Sequence, residues 1–99
     1  LYKKSIGGIY FAHRFRFLSI GAENELMIGW GWEDFERNER ARRLFLKTKY
    51  LNYNLWHIEH KRKELTPNQK ELTQINLNIY NKLFKLKYSD LIEYIKTWL

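Results

Sequence analysis

Glu33 and Asp34 open a run of helix-forming residues directly after Gly29-Trp30-Gly31-Trp32. Glycine removes the side-chain contacts that tryptophan demands, so this alternation suits neither a packed helix nor a strand and reads as a loop. Acids in a first helical turn are stabilised by the free amides and the helix dipole, and that alone accounts for the pair. A second chemistry is open to them. Tryptophan rings on a glycine-hinged loop can stack on the apolar C–H face of a sugar, while a carboxylate fixed beside them takes a hydroxyl proton as general base.

Two further groups carry candidate chemistry. His57 and His60, in "HIEH", are three apart. They lie close in a helical turn but on opposite faces of a regular strand, so a shared metal requires the chain to leave the strand there; surface or hydrogen-bonding histidines are the alternative. Gly7-Gly8 marks either a bulge or a place where backbone approaches a ligand closely. His13 stands alone and receives no role.

The elements that must position these groups follow from local pattern. "IGGIYFA", Ile6 to Ala12, is β-branched and aromatic and reads as a buried strand. A short helix is expected over Arg14 to Ile20, with Phe15 and Leu18 or Phe17 turned inward and Gly21 as its stop. The run Glu33 to Lys47 is acidic at its start and basic at its end, as a helix favours. Lys49 to His60 contains β-formers in partial alternation and reads as a strand. Thr66-Pro67-Asn68-Gln69 has the residues of a capping box with proline at the first helical position, and Leu72, Ile75, Ile79, Leu83 and Leu86 follow at helical spacing. A last helix is expected from Ser89 or Asp90, with Leu91, Ile95 and Trp98 on one face.

With 99 residues, 44% of them hydrophobic, the chain suffices for a single small core. The absence of cysteine excludes disulfides and thiolate zinc sites, leaving His, Asp, Glu and Met as metal ligands. No apolar run approaches the roughly 20 residues that span a bilayer. The chain opens at Leu1 and enters a strand-like run almost at once, so it is expected to be a piece of something longer. The net charge of +7 would suit nucleic acid or an anionic surface, but the basic residues are scattered along the chain as on an ordinary solvated surface.

The order of these motifs, "GGIYF", then "FLSIG", then "IGWGWEDFE" opening a helix, then "HIEHKRK" before "PNQKE", resembles the C-terminal catalytic part of the β-1,4-galactosyltransferase family and of related bacterial polysaccharide glycosyltransferases with a Trp-Gly-x-Glu-Asp motif. The resemblance covers nearly the whole chain. It implies an α/β class, α+β-like fragment of a GT-A type fold, with two or three short strands, about four helices, and the nucleotide-binding half missing. Residues 1–60 would form the acceptor and metal-site part and residues 66–99 the C-terminal helices. The implied roles are Asp34 as base on the acceptor hydroxyl, Glu33 as a holder of the sugars, and Trp30 as the tryptophan of a mobile loop over the donor. Gly8 would lie against the donor, and His60, with His57, would bind a divalent cation, manganese or magnesium. Trp32 stands where the motif has glycine and Phe35 where the animal enzymes have an acceptor-contacting aspartate, so acceptor identity does not carry over.

The implied activity is inverting transfer of a galactose or N-acetylgalactosamine type sugar from a UDP-sugar to a glycan acceptor, with the piece inactive alone. The compartment would be the cytoplasm for a bacterial enzyme and the Golgi lumen for a eukaryotic one. Self-association through an apolar face around Ile9, Phe11 and Trp56 is a corollary. The competing expectations are a basic nucleic-acid-binding module, for which the acids beside the tryptophans have no use, and a noncatalytic helical interaction domain presenting the Leu72 to Leu86 stripe.

Overall fold

Helices are the only regular elements among the described residues, which are 9–52, 54, 56, 58, 60, 61 and 63–99 of a computed structural model. They are α1 (Arg14–Ser19), α2 (Glu33–Arg43), α3 (Pro67–Lys85) and α4 (Tyr88–Ile95). The expected α/β class is therefore corrected to all-helical. No described residue of the two expected strands is in a ladder. Ile9, Phe11, Tyr50, Leu51, Trp56 and Ile58 are all exposed, with no strand among the described residues to receive them. Their β-forming composition reflects a preference for a half-buried pleated surface, and without a pairing strand that preference has nothing to act on.

Local chemistry explains where the helices begin and end. At the start of α3, Gln69 N donates to Thr66 Oγ1 (3.2 Å) and Thr66 N to Gln69 Oε1 (2.8 Å), the reciprocal capping box, with Pro67 at the first helical position. Helix α1 ends at Gly21, whose φ of +87° permits Ala22 N to reach Phe17 O at 3.0 Å. Its inward faces differ from expectation: Phe15 and Leu18 are exposed and only Phe17 is half-buried. Helix α2 stops four residues before Lys47, because Phe45 takes a φ of +62° and Leu46 N donates to Ala41 O at 2.9 Å. This is the same left-handed stop, made without glycine.

The core lies where α3, α4 and the chain end converge. Leu83, Leu91, Ile95 and Trp98 are buried together, with Leu44, Leu86 and Tyr94 packed against them. The last helix thus buries the face expected for it. Arg43 closes the end of α3 by donating to Leu83 O, which also accepts from Leu86 N, and to Leu86 O at the C-cap. Trp98 Nε1 donates to Gly21 O (2.9 Å), which ties the C-terminus to the turn after α1. A Cβ at Gly21 would stand 2.5 Å from Ile95 Cγ2, so this turn is packed to backbone distance.

Beneath α2 runs a buried polar network. Arg40 Nε and Nη2 each lie 3.0 Å from the Glu36 carboxylate, Arg40 Nη1 donates to Ile20 O, and Asn24 Nδ2 donates to Glu36 Oε1 at 3.3 Å. The Arg40 guanidinium also lies 5.4 Å from the Trp98 ring centroid. Both charged side chains are almost wholly inaccessible. At this depth a charge is tolerated only when paired and hydrogen-bonded, as both are. The network fixes the segment 20–24 to α2, and so aims the loop that follows.

Candidate functional site

The segment from Met27 to Trp32 crosses from that network to the head of α2 with three residues at positive φ: Gly29 (+82°), Gly31 (+105°) and Trp32 (+73°). Glycine adopts such angles at no steric cost, whereas a tryptophan there is strained. Trp32 occupies the N-cap of α2 without a side-chain cap bond, so capping does not explain its conformation. Its ring does find partners, stacking on Tyr80 of α3 (centroids 5.6 Å, 22° between planes) and tilting against Phe35 (5.5 Å). Tyr80 also meets Phe35 and Phe84 edge-on. The strain is held in place by an aromatic cluster shared between α2 and α3.

The loop backbone is tied to α3. Asn76, buried in that helix, accepts from Ile28 N (3.2 Å) and donates to Ile28 O (3.0 Å) and Gly31 O (3.1 Å). Thr73 Oγ1 lies 2.9 Å from Trp30 O. The Trp30 ring itself is 63% exposed, so a large aromatic is displayed to solvent from an anchored backbone. The expected glycine-hinged loop is present, and its attachment to a helix more than forty residues away was not foreseen.

Between loop and helix lies an open pocket of about 290 Å³ lined by Trp30, Gly31, Trp32, Glu33, Asp34, Phe35 and Thr73. Its walls are mostly aromatic, with the two carboxylates as its acids. Glu33 Oε2 is buried and has no hydrogen-bond partner among the described residues. Asp34 Oδ1 accepts from Arg37 Nη2, leaving Oδ2 without a partner there. Arg37 Nη1 reaches both oxygens of Glu23 (2.8 and 3.0 Å), and its guanidinium lies 4.0 Å from the Tyr10 ring centroid. Burial opposes the Arg37 charge, but the carboxylates of Glu23 and Asp34 outweigh it and hold its pKa above the ordinary value. Tyr10 Oη donates to Glu23 Oε1 (2.7 Å), and burial together with that acid raises the phenol pKa. The described residues after the Gly-Gly pair are thus linked to Asp34 through one arginine.

Trp30, Glu33 and Asp34 share this one pocket. Gly8 and His57 lie outside the described residues. His60 is exposed, and the described residues contain no group of three or more His, Asp or Glu able to hold a metal ion. The described residues thus present no assembled cation site, and no chemical step is derived through a metal. Missed from sequence were Asn76, Thr73, Tyr80 and Arg37. Asn76 had left one signal: it falls four residues after Leu72 and seven before Leu83, a polar residue on the apolar stripe of α3. No protein-family model, curated protein or solved structure matches the chain. No helix among the described residues is long and apolar enough to cross a membrane.

Proposed function

We propose that this chain forms the acceptor-side segment of an inverting glycosyltransferase of the β-1,4-galactosyltransferase type. It moves a galactose or N-acetylgalactosamine type sugar from a UDP-sugar to a glycan acceptor. The observation that carries the reading is the pocket whose lining joins Asp34 and Glu33 to aromatic walls from Trp30, Trp32 and Phe35. Pyranose rings present C–H faces and hydroxyls together, and this pocket offers aromatic surface and acceptors together.

In mechanism, the acceptor hydroxyl enters along the aromatic wall and donates to Asp34 Oδ2, the oxygen that Arg37 leaves unbonded. Its oxygen forms a bond to the anomeric carbon as the UDP leaving group departs with the electron pair of the old bond, and the hydroxyl proton passes to Asp34. Glu33, which also lines the pocket, serves as the holder of the sugar ring, so positioning supplies much of the rate. Manganese or magnesium, engaged through His60 and His57, is part of the proposal as a requirement on the donor side.

A panel of UDP-sugars and glycan acceptors, assayed with the full natural chain in manganese, magnesium and chelator, tests the reading. Cation-dependent formation of a glycosidic product is expected. The absence of product with every donor, in protein shown to be folded, would contradict it.

A further inference from the structure

Three features remain once the pocket is assigned its acid and its aromatic walls: the Glu36–Arg40 network, the exposed apolar residues outside the helices, and the attachment of the loop to α3. The network is accounted for as structural support, and nothing on the exposed residues indicates what covers them. The attachment is different, because it joins an exposed side chain at the pocket to a buried one outside it.

We infer that Asn76 is a positioning residue for this pocket, holding Trp30 at its rim through the backbone on either side. The inference rests on the transferase reading of the pocket. A carboxamide offers two donors and an acceptor, and here both donors are used and the oxygen accepts. The amide pairs with both the N–H and the C=O of Ile28, as a neighbouring strand would, and its second donor goes to Gly31 O. Trp30 lies between these two anchored residues, and Thr73 Oγ1 lies within hydrogen-bonding distance of its carbonyl. The glycines on each side hold φ angles of +82° and +105°, conformations available to them in many loop geometries, so they do not select this one by themselves. The selection comes from Asn76, which is 1% exposed and anchored in a 19-residue helix. It follows that the loop and α3 change position together, and that a helix downstream of the motif is a working part of the site.

Asn76→Leu, nearly equal in volume, removes all three bonds. Thr73→Val, on the half-buried surface of α3, removes the Trp30 bond and the hydroxyl's contact with Gln69 O in its own helix, leaves the Asn76 bonds in place, and serves if the leucine variant does not fold. Two quantities are measured in the full chain: amide hydrogen exchange at Ile28 and Leu83, and the acceptor KM and kcat. With Asn76→Leu, Ile28 exchange should accelerate about tenfold or more while Leu83 in the same helix changes little. Acceptor KM should rise about tenfold and kcat much less, since Asp34 is untouched. Thr73→Val should shift KM in the same direction by a smaller factor. Unchanged Ile28 exchange, or equal acceleration at Ile28 and Leu83, would overturn the inference, as would an unaltered KM alongside faster Ile28 exchange. If the wild-type chain transfers no sugar, the transferase reading fails, and the Ile28 to Leu83 comparison still decides whether Asn76 sets the loop.

Discussion

Arg37 holds Asp34 with one guanidinium nitrogen and both oxygens of Glu23 with the other, beneath the ring of Tyr10. The fork holds one oxygen of the Asp34 carboxylate, which lines the pocket, and leaves the other without a partner among the described residues. Lysine has the charge but not the planar fork, so it cannot serve both acids in this geometry. Arg37→Lys should therefore lower kcat for transfer while costing only about 1 kcal/mol of stability, because Glu23 and Asp34 are both partly exposed. Urea unfolding alongside steady-state kinetics checks both halves of that expectation.

Arg40 and Glu36 behave oppositely because they are buried. Arg40→Met should destabilise by about 3–5 kcal/mol by leaving a buried carboxylate unpaired, a large fraction of the stability of a small domain. The double variant Glu36→Leu/Arg40→Met should recover most of that loss. Thermal unfolding of the three proteins decides it, and a double variant as unstable as the single would show that the bond to Ile20 O and the Trp98 contact matter more than the ion pair.

Trp32 gives a test of strain against stacking. Its φ of +73° is costly for any residue with a Cβ, and its ring is held by Tyr80 and Phe35. Removing the ring as Trp32→Ala loses the stacking and keeps the strain, whereas Trp32→Gly loses the stacking and relieves the strain. The glycine variant should be the more stable of the two by about 1 kcal/mol, in the direction that N-cap preference also favours. Denaturant midpoints measure this directly.

Alkaline pH should weaken the fold through two tyrosines. Burial raises the pKa of Tyr10, aided by Glu23, and burial likewise raises that of Tyr94. A phenol whose folded pKa exceeds its unfolded value contributes stability that is complete below the unfolded value near 10. That contribution is lost as pH rises through the folded value, since the native state then binds more protons than the unfolded one. Urea midpoints should fall above pH 10, and Tyr10→Phe and Tyr94→Phe should each make the fall shallower.

How much of this was legible in the sequence depends on whether the cause is local. The capping box at Thr66 and Gln69, the acidic first turn of α2 and the glycine stop at Gly21 involve neighbours, and each is found where the pattern places it. The stop at Phe45 was hidden because an aromatic residue took a conformation that glycine usually marks. The strands failed for a related reason: residues such as Ile9 and Trp56 have the composition of strand interiors, but a ladder requires a second strand that local composition cannot supply. In the pocket, the consecutive residues Trp30 to Asp34 declared themselves. Asn76 and Tyr80 reach them from α3 through contacts spanning more than forty residues, where a single sequence carries only a polar interruption of an apolar stripe.

The most direct measurement is kcat for sugar transfer by the full chain with Asp34→Asn, which keeps the side-chain shape and an oxygen for Arg37 but removes the base. A fall of about 10²- to 10⁴-fold in kcat, with acceptor KM and unfolding midpoint little changed, is the result we expect. Transfer at the wild-type rate would contradict the assignment of Asp34 as the base.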